Sequence, residues 1–83
     1  MKHYLFTIMT RDGDHEYFDK WLFAPTGDMT ELDVLAEYSG IEHHEWSEVH
    51  ERVYENSYDY RHYSVYSRQE VKPENVEILS HYI

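Results

Sequence analysis

The sequence predicts a small α+β domain in which a small antiparallel sheet packs with two or three short helices, in the order ββααβα. Three observations support this prediction. An Asp-Gly pair separates two runs of β-forming residues near the N-terminus, capping signals enclose a short amphipathic segment at 30–40, and a tyrosine-rich run follows at 58–71. We expect a single compact domain over 1–83, since the chain contains no linker or repeat.

The first predicted element is a β-hairpin formed by residues 2–10 and 15–24. If Asp12 and Gly13 form a two-residue loop, position 8 opposes 17, position 6 opposes 19 and position 4 opposes 21. In that register Asp19 is a polar mismatch on an otherwise apolar face. The large side chains that would share this core face are Tyr4, Phe6, Ile8, Tyr17 and Trp21.

Two helices are predicted after the hairpin. Thr30 and Asp33 form an approximate capping box, and Gly40 suits the position just after a helix. Residues 42–55 fit a second helix, which would have an apolar arc and a carboxylate arc on opposite sides. The apolar arc comprises Trp46, Val49, His50 and Val53, and the carboxylate arc comprises Glu45, Glu48, Glu51 and Glu55. A strand over 47–55 remains open, because the valines also fit a period of two.

The C-terminal third predicts a strand and a short helix. Residues 58–71 are rich in tyrosine and valine, and Lys72-Pro73 ends the run. Pro73 suits the first turn of a helix, whose apolar face would comprise Val76, Leu79, Tyr82 and Ile83. A strand over 76–83 is the alternative.

Charge is the most unusual property of the chain. Seven Lys and Arg residues stand against seventeen Asp and Glu residues, which gives a formal net charge of −10. Residues 21–51 contain eight carboxylates and no Lys or Arg, so this third carries −8 of the total. Such a surface repels nucleic-acid phosphates and anionic lipids, which excludes direct nucleic-acid and membrane binding. The charge favours basic protein surfaces or cations as partners, and we expect a basic protein surface.

The sequence offers little support for catalysis or for a cofactor. The chain has no cysteine, and no serine lies in a Gly-x-Ser-x-Gly motif. In the histidine-rich stretch 43–50, Glu48 occupies the position where a zinc-protease motif needs its second histidine after His44. We therefore predict no enzyme, no cofactor and no metal site. The alternatives are a histidine-based metal- or pH-responsive domain and an oligomeric structural or assembly protein.

The N-terminus lacks the apolar run of a signal peptide, and no apolar stretch reaches the ~20 residues of a membrane span, so we expect a cytoplasmic protein.

The nine tyrosines have two interpretations: they fill a small core, or they are anchors of a protein-binding face. Short, cysteine-free, acidic α+β chains with an Asp-Gly hairpin and a tyrosine-rich strand resemble small early proteins of bacteriophages and mobile elements. These include DNA-mimicking inhibitors of restriction enzymes and anti-CRISPR proteins.

The resemblance implies an inhibitor that occupies the basic nucleic-acid groove of a host protein. Carboxylates about 5–7 Å apart on a rigid element roughly match the spacing of backbone phosphates. The predicted partner-binding residues are Asp28, Glu31, Asp33, Glu37, Glu45, Glu48 and Glu51, with Tyr58 and Tyr60 as aromatic anchors.

Overall fold

One antiparallel sheet of five strands organises the fold of the computed structural model, which describes residues 2–25, 27–59 and 61–82. The elements in chain order are β1 (His3–Asp12), β2 (His15–Phe23), α1 (Glu31–Ser39), a 3₁₀ turn (His43–Glu45), β3 (Trp46–His50), β4 (Val53–Asn56), β5 (His62–Val71) and α2 (Pro73–Ser80). The strands lie side by side in the order β2-β1-β5-β4-β3. Strand β5 therefore inserts between the two hairpins and joins them into one sheet.

The chain combines a sheet with helices, but the predicted fold is wrong: two helices flank a larger sheet, and the order is ββαβββα. The error lies in residues 42–55, where the 3₁₀ turn and the β3–β4 hairpin replace the predicted second helix. The strand alternative for 47–55 describes this region better. The reason is tertiary, because β4 pairs with β5 through Tyr54↔Tyr63 and Glu55↔His62, and an isolated helix would gain no such partner.

The β1–β2 hairpin forms with a different loop from the predicted one. Gly13 and Asp14 are the loop residues, and Gly13 at the first loop position has φ +63, as a type II′ turn requires. The register therefore moves by two residues, so that Ile8 opposes Asp19 and Phe6 opposes Trp21. A shift of two leaves every side chain on its predicted face, since side chains alternate with a period of two.

Helix α1 covers one face of the sheet and encloses the core. The buried residues that form the core cluster are Phe6, Ile8, Val34, Leu35, Trp46, Tyr63 and Val65. The predicted cap is confirmed: the Thr30 hydroxyl accepts from the Asp33 N–H at 3.2 Å, and the Asp33 carboxylate accepts from the Thr30 N–H at 2.8 Å. Gly40 follows the helix with φ +78 and donates its N–H to Ala36 O at 2.9 Å. We call the opposite side of the sheet the open face.

The C-terminal helix is confirmed with Pro73 in its first turn. On its predicted apolar face Val76 and Leu79 are half-buried, Tyr82 is exposed, and Ile83 lies outside the described residues. The tyrosine-rich strand starts later than predicted, at His62 instead of residue 58. Among the described residues, no helix has the length and apolar character needed to cross a membrane.

Candidate functional site

Of the eight carboxylates of residues 28–51, five lie on regular elements: three on α1, Glu45 in the 3₁₀ turn and Glu48 on β3. Asp28, Glu42 and Glu51 lie in the segments next to these elements. Two contacts hold these segments together: Arg52 binds Glu31 at the start of α1, and His43 binds Asp33 in the same first turn. These contacts join the first turn of α1 to the 3₁₀ turn and to the turn that follows β3. We call residues 28–51 the acidic surface.

Arg52 organises the end of the acidic surface where α1 begins. Its Nε lies 3.1 and 3.0 Å from the two carboxylate oxygens of Glu31, and its Nη2 lies 2.6 Å from Oε2. Hydrogen bonding to Glu31 raises the pKa of Arg52 above its ordinary value. The backbone N–H of Arg52 donates to Oε2 of Glu48 at 3.1 Å. Glu31 and Glu48 thus hold the turn between β3 and β4.

Asp33 belongs to the helix cap. The hydrogen bond from the Thr30 backbone N–H lowers the pKa of Asp33, and hydrogen bonds from His43 and from the Thr30 hydroxyl lower it further. His44 lies next along the chain, with its ring nitrogens 3.3 Å from Glu42 and 3.1 Å from Glu45.

Glu45 lies at the opposite end and ties the acidic surface to the loop that carries Tyr58. Its carboxylate accepts from the Ser57 hydroxyl, and its backbone carbonyl accepts from the Ser57 N–H at 3.0 Å. Asn56 Oδ1 shapes this loop by accepting from the N–H groups of Tyr58 (2.8 Å) and Asp59 (3.1 Å). Tyr58, which follows Ser57 in the chain, is 69% exposed. The other predicted anchor, Tyr60, lies outside the described residues.

Three of the predicted carboxylates project into solvent. Asp28, Glu37 and Glu51 are exposed, and within the described ranges they form no ion pair or side-chain hydrogen bond. The remaining four, Glu31, Asp33, Glu45 and Glu48, hold local structure through the hydrogen bonds described above. Sequence reasoning omitted Glu42, which is exposed, and Arg52, whose contact with Glu31 spans 21 residues and leaves no signal in the sequence.

The predicted carboxylate arc of Glu45, Glu48, Glu51 and Glu55 does not exist. Because β4 is a strand, Glu55 points to the open face, where its carboxylate lies 3.1 Å from Nε2 of His62. A cleft of about 390 Å³ opens on the same face, and Arg11, His50 and His62 contribute to its wall. In the part of the chain that the structure describes, no three metal-ligating side chains converge.

The tyrosines divide between core and surface. Tyr63 is buried and Tyr38 and Tyr54 are half-buried, whereas Tyr17, Tyr58, Tyr66 and Tyr82 are exposed. Burial raises the pKa of Tyr38 to about 12, with help from the hydrogen bond to Asp19. Burial likewise raises the pKa of Tyr63 to about 12, with help from Asp59. Part of the tyrosine content is therefore core, and Tyr58 is among the exposed tyrosines.

Comparison with protein-family models, curated proteins and solved structures finds no match to this chain.

Proposed function

We propose that the protein is a non-enzymatic inhibitor that presents its acidic surface to a basic, nucleic-acid-binding host protein, such as a CRISPR-Cas or restriction component. The observation that carries the proposal is that the carboxylates form two groups, one that holds local structure and one that is exposed. Glu31, Asp33, Glu45 and Glu48 fix the backbone, while Asp28, Glu37 and Glu51 project unpaired from it among the described residues. Charges held in place before binding lose less entropy when a partner meets them.

The sign and distribution of charge favour this class of partner over the others. A surface with eight carboxylates and no Lys or Arg within its own sequence attracts cationic grooves over long range and repels nucleic acid itself. Exposed carboxylates at the end of long side chains can replace phosphates in such a groove. Such an inhibitor would act in the cytoplasm of the host, where its CRISPR-Cas or restriction target would be found.

Tyr58 supplies an aromatic anchor at the edge of the acidic surface. The Asn56 turn and the Ser57–Glu45 contacts place it there, and its exposed ring fits the enrichment of tyrosine at binding hot spots. In the proposed complex, charge would guide association and Tyr58 would contribute apolar contact area.

The test is affinity capture from a bacterial lysate, followed by measurement of binding to the purified captured protein. We expect a nucleic-acid-binding protein whose nucleic acid competes with this chain for the same site. We also expect affinity to fall by at least about tenfold between roughly 0.05 and 0.5 M salt, because screening weakens contacts between exposed charges. A captured protein that binds this chain equally well at both salt concentrations would contradict the proposal. So would a captured protein that binds this chain and its nucleic acid at the same time.

A further inference from the structure

The outer edge of β2 is long and regular, unlike the opposite edge of the sheet. Strand β2 pairs with β1 through nine consecutive residue pairs without a register shift. Strand β3, at the other edge, has five residues and a register shift between Glu48 and His50. Short length and bulges are devices by which natural sheets prevent pairing with other chains. Strand β2 has neither device, and within the described residues no strand covers its outer side.

The surroundings of this edge leave it accessible. An open groove of about 720 Å³ runs along β2 and is lined by the strand residues 18–22 and by Ser80 and Tyr82 at the C-terminal end of α2. Phe18 is 54% exposed on the open face, and its ring packs edge-on against Tyr66, which is 65% exposed, at a centroid distance of 5.2 Å. Phe18 and Tyr66 thus form an aromatic pair next to the edge of the sheet, and more than half of each residue is exposed to water.

The hairpin geometry determines which residues of β2 direct their backbone groups outward. Residues that flank a two-residue loop form a hydrogen-bonded pair, here Asp12 and His15. Hydrogen-bonded and non-hydrogen-bonded pairs then alternate along the strand. The odd-numbered residues of β2 therefore bond to β1, and Glu16, Phe18 and Lys20 direct their N–H and C=O groups away from the sheet.

We propose that β2 pairs antiparallel with β2 of a second copy of this chain, with the twofold axis at Phe18. In this register Phe18 opposes Phe18, Glu16 opposes Lys20 twice, and Tyr17 opposes Asp19 twice. These central pairs are complementary: aromatic with aromatic, acid with base, and hydroxyl donor with carboxylate. Next to them, His15 opposes Trp21. Centring the axis on Asp19 would oppose two carboxylates, and centring it on Tyr17 would place Glu16 opposite Phe18.

The existing contacts of these side chains extend across the proposed interface. Glu16 already binds Arg11 of β1, and Lys20 donates to Thr7 Oγ1 at 2.6 Å. Glu16 would then lie between Arg11 and the lysine of the second copy, with opposite charges alternating on the open face. The aromatic pair would become a row of four rings, in which both Phe18 side chains lose water contact.

The pairing has a consequence for the acidic surface. A twofold axis through an antiparallel strand pair stands perpendicular to the sheet, so both copies of α1 lie on the same side. A continuous sheet of ten strands would present two acidic surfaces in one direction. The inference rests on β2 alone and does not depend on the proposed function.

The test is the mass of the protein in solution as a function of concentration. A single strand pair buries less than the roughly 1,200 Å² of a stable complex, so we expect a dimer that dissociates at about 10–100 µM. Glu16→Lys and Lys20→Glu should each be monomeric, because each places like charges opposite one another. An equimolar mixture of the two variants should form a heterodimer, since all four charges are then complementary. Lys72→Glu and Glu74→Lys are controls with the same charge changes away from β2, and each should dimerise like the wild type.

A wild-type protein that is monomeric at about 1 mM would overturn the proposal, because that concentration is at least about tenfold above the expected dissociation constant. Variants that dimerise like the wild type, or a mixture that fails to associate, would overturn the register.

Disulfide crosslinking provides a second measurement, since the chain has no cysteine of its own. Phe18→Cys should oxidise to a covalent dimer, whereas Glu16→Cys should do so only when mixed with Lys20→Cys. Equal crosslinking of Glu16→Cys alone would count against the pairing.

Discussion

The hydroxyl of Tyr38, near the end of α1, donates a 2.6 Å hydrogen bond to Oδ2 of Asp19 on β2. The same ring packs edge-on against Trp21 at a centroid distance of 5.6 Å. Asp19 was the polar mismatch in the predicted hairpin, and its place on the helix side of the sheet is explained by this contact. One tyrosine thus fastens the helix to the edge strand through a polar and an apolar contact.

Alkaline pH should weaken the protein through Tyr38 and Tyr63. Both have a pKa raised from 10.0 to about 12, so the folded state retains protons that the unfolded state loses. Their contribution to stability is therefore complete below pH 10 and is lost as pH rises from 10 through 12. Tyr38→Phe should reduce this alkaline loss and should cost about 0.5–1 kcal/mol at neutral pH, because one hydrogen bond disappears.

The measurement is the urea midpoint from neutral to strongly alkaline pH, with Tyr58→Phe as the control because Tyr58 is exposed. The control should follow the wild type throughout. Identical alkaline profiles for Tyr38→Phe and the wild type would show that the hydroxyl does not hold its proton in the folded state.

The parts of the fold that the sequence predicts correctly are those with local causes. The capping box of Thr30 and Asp33, the left-handed Gly40 and the first-turn Pro73 all act within a few residues, so the sequence alone reveals both helices. The β3–β4 hairpin has no such signal. Its loop is Glu51-Arg52, without glycine or asparagine, and Arg52 has φ +62.

The same difference explains the candidate site. The positions of the carboxylates can be read directly from the sequence, but their roles depend on partners that are distant in the sequence. Glu31 meets Arg52 across 21 residues and Glu45 meets Ser57 across 12, and no short-range pattern encodes either contact. The sequence therefore identifies the acidic surface as a region, whereas the structure separates its structural carboxylates from its exposed ones.

Arg52 offers a direct test of the hairpin. A residue other than glycine in the left-handed region is strained, and the contacts with Glu31 and Glu48 offset that strain. Arg52→Ala and Arg52→Gly both remove the guanidinium, but only alanine retains the strain. We expect the glycine variant to be more stable by about 1 kcal/mol in urea unfolding. Equal stability of the two variants would show that this backbone conformation is not maintained in solution.

Asp33 should make stability depend on acid pH. Its pKa is lowered from 3.8, first by the Thr30 backbone N–H and then by His43, so the folded state favours the ionised form. This contribution is present above the unfolded pKa and is lost as pH falls through the lower folded pKa. Asp33→Asn should therefore flatten the stability profile between about pH 5 and pH 2.

The matched control is Glu37→Gln, on the same helix but exposed. It removes one carboxylate without touching the cap, and its unfolding midpoint should change with pH as that of the wild type does. A wild-type acid profile for Asp33→Asn would mean that the cap contributes no pH-dependent stability.

The acidic surface itself is best tested with two triple variants of equal charge. Asp28→Lys, Glu37→Lys and Glu51→Lys change the exposed carboxylates, while Glu45 and Glu48 stay because they accept the hydrogen bonds that hold the hairpin and its neighbouring loop. The control replaces Glu70, Glu74 and Glu77 with Lys. Each set moves the formal net charge from −10 to −4, so the two proteins have equal charge. They differ in where the change lies and in the exposed Lys2–Glu70 ion pair, which the control removes.

We expect the first variant to associate with the captured partner at least about tenfold more slowly, because electrostatic guidance acts mainly on the association rate. The control should remain within about threefold of the wild type, since its charges lie outside the acidic surface. Both should keep the wild-type unfolding midpoint within a few degrees, which separates binding from folding. Equal slowing in the two variants would assign the effect to net charge, and no slowing in either would remove the acidic surface from the interface.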